Sequence, residues 1–159
     1  MENNKKILIV EDDPGLQKQM KWSFEDFEVF IAGNRQEALK VLTKERPPVV
    51  TVDLGLPPDP EGFTEGIATV EEILAKAPHT KVIVVSGNDD RANAVQAVAS
   101  GAYDFYQKPI DAELLNQIIT RAHHVYELEE ENRRLIMERP SGFIEGMIAS
   151  SPQMEVVCQ

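Results

Sequence analysis

Asp53 stands at the end of a short apolar run, Val49-Val50-Thr51-Val52, and is followed by Leu54-Gly55-Leu56-Pro57-Pro58. Asp12 and Asp13 close an earlier run of the same kind, Ile7-Leu8-Ile9-Val10. Ser86 follows Val82-Ile83-Val84-Val85, and Lys108 follows the run Tyr103–Tyr106. Carboxylates are hard oxygen ligands suited to a divalent cation, and a lysine ammonium is a compact point charge suited to a phosphate oxygen. Three acids and one lysine at the ends of buried strands therefore make a site for a divalent metal and a phosphoryl group.

Such side chains need elements to bring them together, and the chain supplies a repeating pattern. Apolar runs at Ile7–Val10, Glu28–Ala32, Val49–Val52, Lys81–Val85 and Tyr103–Tyr106 read as strands. Helical patterns alternate with them. The first covers Pro14–Asp26, with Pro14 suited to a first-turn position. The second is capped by Asn34, carries Ala38, Leu39, Val41 and Leu42, and is stopped by Pro47-Pro48. The third carries Val70, Ile73 and Leu74 and ends before Pro78. The fourth covers Arg91–Ser100, with Gly101 at C′, and a long helix starts near Asp111. Five βα units predict an α/β fold with a parallel sheet covered on both faces. Ligands in such sheets bind beyond the carboxyl ends of the strands, where Asp12, Asp13, Asp53, Ser86 and Lys108 all fall.

Composition narrows the partners. The 159 residues suit one domain plus an appendage, and 42% are hydrophobic, enough for a core. The net charge of −11 argues against a grip on nucleic-acid backbone by this segment. No apolar stretch approaches the roughly 20 residues of a membrane span. The N-terminus lacks a signal-peptide pattern, and the single cysteine, Cys158, has no partner for an internal disulfide. The expected location is the cytoplasm.

Val10-Glu11-Asp12-Asp13, Val52-Asp53-Leu54-Gly55-Leu56-Pro57, Val85-Ser86-Gly87 and Lys108-Pro109, in this order and spacing, closely resemble the receiver domain of two-component response regulators. The match covers roughly residues 5–125. The resemblance implies a flavodoxin-like (βα)5 fold with strand order 2-1-3-4-5. It implies a domain that accepts a phosphoryl group from a sensor histidine kinase onto Asp53, with Mg2+ as the cofactor, and that is not a turnover enzyme. Asp12 or Asp13, with Asp53 and the backbone carbonyl of Gly55, would ligate the metal; the family makes Asp13 the direct ligand and places Asp12 behind a water. Lys108 would pair with one phosphoryl oxygen and Ser86 would donate to another. The family's Lys-Pro bond, here Lys108-Pro109, is cis. Its switch pairs the hydroxyl at Ser86 with an aromatic three positions before the lysine, which is Phe105. The implied output face covers residues 91–126, and homodimerisation is the implied response.

Two features depart from that pattern. The segment Leu56–Gly66 is longer than the usual connection, and Gly62 and Gly66 compete for the place of one glycine. The last helix also runs on. Ile118, Val125 and Asn132 are spaced by seven, as are Leu128 and Leu135, a short seam that suits a parallel dimer through residues 118–136, with Arg121 breaking the preceding position. Residues 126–139 read as a helical linker, broken by Arg139-Pro140-Ser141-Gly142. Residues 140–159, with Gly146 and Ser151-Pro152-Gln153-Met154, look like the start of the AAA+ domain of NtrC-type sigma-54-dependent activators. The expected organisation is receiver 1–125, linker 126–139, and the first residues of an ATPase whose P-loop is not within the sequence. The competing reading is a single-domain receiver acting through protein binding alone.

Overall fold

The computed structural model describes residues 5–54, 64–87, 91–108 and 111–137. Five strands alternate with five helices: β1 (Lys6–Val10), α1 (Pro14–Ser23), β2 (Glu28–Ala32), α2 (Arg35–Glu45), β3 (Val49–Asp53), α3 (Thr64–Lys76), β4 (Lys81–Ser86), α4 (Arg91–Ala99), β5 (Asp104–Gln107) and α5 (Ala112–Met137). All strand pairings are parallel, in the order β2-β1-β3-β4-β5. This is the flavodoxin-like order expected from the motifs. β5 begins one residue later than its apolar run suggests, although Tyr103 already donates its N–H to Val82 O at 2.7 Å.

Strand alternation divides the interior into two cores. Leu8, Val10, Val50, Val52, Val82 and Val84 face Ala38 and Leu42 of α2, Ile67, Val70 and Ile73 of α3, and Ala97 of α4. Ile7, Ile9, Val49, Ile83, Val85 and Tyr106 face Met20 of α1 and Leu115, Ile119 and Ala122 of α5. Successive side chains of a strand point to opposite faces, so an unbroken apolar strand fills both layers. Burial of this surface, at about 25 cal/mol per Å2 of apolar area, is what holds the strand ends in place.

Helix boundaries follow local chemistry. Asn34 accepts from Glu37 N at 2.9 Å, and the Glu37 carboxylate accepts from Gly33 N at 2.8 Å, a reciprocal cap on α2. Asp13 accepts from Gly15 N at 2.9 Å and caps α1, with Pro14 in the first turn. Gly101, at φ +121°, turns the chain after α4. Arg35 ties α2 to α3, meeting Glu65 at 2.8 Å and Glu72 at 3.2 Å.

The chain divides into two compact units, Met1–Tyr126 and Glu127–Gln159. The described part of the second is helical as far as Met137, with an Arg133–Glu130 ion pair at 2.6 Å. Residues 140–159, including Cys158, lie outside the described residues. No helix among the described residues is long and apolar enough to cross a membrane.

Of the two glycines in the long β3–α3 connection, Gly62 lies outside the described residues and Gly66 sits in the first turn of α3. A Cβ on Gly66 would meet Leu54 Cα at 2.5 Å and Leu54 O at 2.7 Å. These are backbone atoms of the residue after Asp53, so the helix approaches the site's own strand as closely as a glycine permits. An ordinary helical Gly→Ala change stabilises by up to about 1 kcal/mol, whereas overpacking against fixed atoms costs roughly 1–3 kcal/mol. Gly66→Ala is therefore expected to lower the urea unfolding midpoint; a raised midpoint would mean α3 moves away from Leu54 without cost.

Candidate phosphoacceptor site

The site is built where the parallel ladders run out. Asp53 is the last residue of β3 and is only 8% exposed. Ser86 is the last residue of β4 and is buried. The ladder continues past both: Leu54 N donates to Val85 O at 3.1 Å, and Lys108 N donates to Ser86 O at 2.7 Å. Lys108 thus emerges one residue beyond β5 with its backbone fixed to β4. Its Nζ lies 3.5 Å from Asp53 Oδ1, a loose ion pair between partly buried groups.

The acid pair differs from the one expected. Carboxylate oxygens of Glu11, Asp12 and Asp53 all lie within 4.8 Å of one another. Asp13 is not in this group, because its carboxylate caps α1 and its own N–H donates to Glu11 Oε2 at 3.2 Å. Asp13, expected as the direct metal ligand, thus stands outside the group in which Glu11 and Asp12 flank Asp53. The physical reason is register. β1 pairs with β3 as Ile7↔Val49, Ile9↔Thr51 and Val10↔Val52. Continuing by one residue sets Glu11 beside Asp53, on the same face of the sheet. Asp13, two residues on, has already entered the turn into α1. The sequence signal was the odd-numbered set Ile7, Ile9, Glu11, but it identifies Glu11 only once the β1–β3 register is known.

Glu11 is 2% exposed. Its backbone carbonyl accepts from the Gln17 side chain, and its N–H donates to Ala32 O at 2.9 Å. Burial pushes its carboxyl from the ordinary 4.5 to about 8, with further upward pressure from the Asp53 charge and a hydrogen bond shared with Asp53. The Asp13 N–H and the Lys108 charge pull the other way without offsetting it. The pocket is thus a crowded set of oxygens in which the uncharged form of Glu11 is favoured. Hard oxygen donors of this kind fit a small divalent cation.

Ser86 Oγ is buried with no hydrogen-bond partner among the described residues. A buried hydroxyl left in this way is costly unless something else engages it. Phe105 is half-buried against the core beneath α3 and α4, while Tyr106 belongs to the opposite core, as strand alternation predicts. Gly55, whose carbonyl was expected to ligate metal, and Pro109, whose bond was expected to be cis, lie outside the described residues.

Comparison with known proteins agrees with this geometry. The family described as "Response regulator receiver domain" matches residues 7–120. The chain belongs to this family. It is 36% identical over 137 residues to the C4-dicarboxylate transport transcriptional regulatory protein DctD of Rhizobium meliloti, covering 85% of this chain and 27% of that protein. It is 29% identical over 157 residues to the regulatory protein AtoC of Escherichia coli, covering 97% of this chain and 33% of that one. The chain thus spans a third or less of these relatives. Among solved structures, NtrX from Brucella abortus matches with a TM-score of 0.74 at 29% identity, over 82% of this chain and 29% of that chain.

The raised Glu11 carboxyl has a consequence for stability without divalent cations. Its folded value, about 8, lies above its unfolded value, 4.5, so the contribution is fully present below pH 4.5 and is lost as pH rises through about 8. With chelator present, the urea midpoint is expected to fall across that window, and Glu11→Gln, which cannot titrate, to flatten the fall. An unchanged slope in Glu11→Gln would assign the dependence to another group.

Proposed function

We propose that this receiver takes a phosphoryl group from a sensor histidine kinase onto Asp53 and relays the change to the output of a sigma-54-dependent transcriptional activator. The observation that carries the first part is the convergence of Asp53 Oδ1 and Lys108 Nζ at 3.5 Å beside the Glu11 and Asp12 carboxylates. The transcriptional part is supported by similarity to DctD, named a transcriptional regulatory protein.

Each side chain has a task. An Asp53 carboxylate oxygen attacks phosphorus, an acyl phosphate forms, and the donor's nitrogen leaves with the bonding electron pair. Lys108 takes one phosphoryl oxygen as a point charge. Ser86 donates its otherwise unpartnered hydroxyl to another. Glu11, Asp12 and Asp53 would hold Mg2+, the Gly55 carbonyl being the further donor that the family resemblance implies. When bound, the ion neutralises the carboxylate crowding and the charge that develops on the phosphoryl oxygens.

The acyl phosphate adds charge and acceptor oxygens beside Ser86 and Lys108, which biases Phe105 and the surface formed by residues 91–126. A second copy of the chain is the partner this surface suits. Val95 of α4 and Leu114 of α5 are 52% and 48% exposed. Leu128 and Leu135, the paired positions of the helical seam, are 55% and 56% exposed, and such apolar positions recur where helices associate.

Phosphoramidate or acetyl phosphate with Mg2+ is expected to add one phosphoryl group by mass, and Asp53→Asn to abolish it. Labelling that persists unchanged in Asp53→Asn would overturn the assignment. Sedimentation with and without beryllofluoride is expected to show different mass distributions, and identical ones would remove the dimerisation step.

A further inference from the structure

The β5–α5 junction holds a buried phenol that the phosphotransfer chemistry does not use. Tyr106 is 6% exposed and lies in the core beneath α1 and α5. Its hydroxyl accepts a hydrogen bond from Asp111 N at 2.6 Å. Asp111 in turn caps α5: its carboxylate accepts from Glu113 N at 3.1 Å and Leu114 N at 3.3 Å, and its carbonyl accepts from Leu115 N at 2.9 Å. Tyr106 therefore fixes the first turn of the helix that follows the site.

Lys108 lies between these anchors. On the strand side its N–H is fixed to Ser86 O at 2.7 Å. On the helix side the chain is fixed again at Asp111, by Tyr106. A lysine side chain carries about 2 kcal/mol of rotamer entropy, so where its backbone is held decides how often its ammonium meets a given target. Phe105, the neighbouring aromatic, packs on the other face and has no hydroxyl to offer. The phenolic group of β5 thus serves the α5 side of the sheet.

We propose that Tyr106 is a positioning residue for Lys108: its hydroxyl bond to Asp111 sets the path of the chain that presents the ammonium to Asp53. The inference rests on the reading of Lys108 as the partner of the phosphoryl group. It adds a physical link between that lysine and the start of α5, so that a displacement of Lys108 is felt at the helix and a displacement of the helix at Lys108.

Tyr106→Phe tests it, because the ring still fills its place in the core and only the hydroxyl is lost. Amide exchange at Asp111 is expected to quicken, reporting the broken bond, while thermal unfolding stays cooperative. The rate of phosphorylation by phosphoramidate with Mg2+ is expected to fall by about fivefold, the scale of one neutral hydrogen bond. The same substitution made on top of Lys108→Ala is expected to change the rate little, since the residue acts through the lysine. An unchanged rate in Tyr106→Phe, or an equal loss in both backgrounds, would overturn the positioning role. Lys108→Ala with an unaltered rate would instead overturn the reading of Lys108 itself, which separates the two failures.

Discussion

Glu11 and Asp53 are pressed together by the parallel register of β1 against β3, and the rest of the site answers that crowding. Two carboxylates at the edge of a nearly dry interior cannot both be charged without help. Burial and the Asp53 charge push the Glu11 carboxyl up to about 8, while the Lys108 ammonium, 3.5 Å from Asp53, and the Asp13 N–H on Glu11 act against the crowding. Oxygens crowded in this way suit a small divalent cation.

The two apolar layers on either side of the sheet keep the constraint in force. Neither carboxylate can retreat, because the preceding residues of each strand fill both cores: Ile9 and Val10 before Glu11, Thr51 and Val52 before Asp53. Gly66 adds a further lock, bringing α3 against the backbone of Leu54. Interiors packed at this density do not deform by small amounts, so a change at the site moves whole elements between discrete arrangements.

The two aromatics of β5 divide the labour between the faces. Phe105 contacts the core under α3 and α4. Tyr106 contacts the core under α1 and α5 and uses its hydroxyl to hold Asp111. Both faces of the strand are therefore connected to the lysine that follows it, one through packing and one through a hydrogen bond.

Much of this was legible in the chain. Alternating apolar runs and capped helices specify a doubly wound α/β sheet, because only burial on both faces accounts for strands such as Val82-Ile83-Val84-Val85. Asp53, Ser86 and Lys108 were placed at strand ends by their position after those runs, and Asn34 and Gly101 by their capping chemistry. What the sequence could not give was register. Val10-Glu11-Asp12-Asp13 offers three consecutive acids, and which of them meets Asp53 depends on how β1 aligns with a strand some forty residues away. Tertiary pairing chose Glu11 and Asp12 and released Asp13 to cap α1. The approach of Gly66 to the backbone of Leu54, likewise, and the Tyr106 hydroxyl beside Asp111 are visible only in the tertiary structure. Local residue chemistry determined the elements and the reactive groups; long-range pairing decided which of those groups touch.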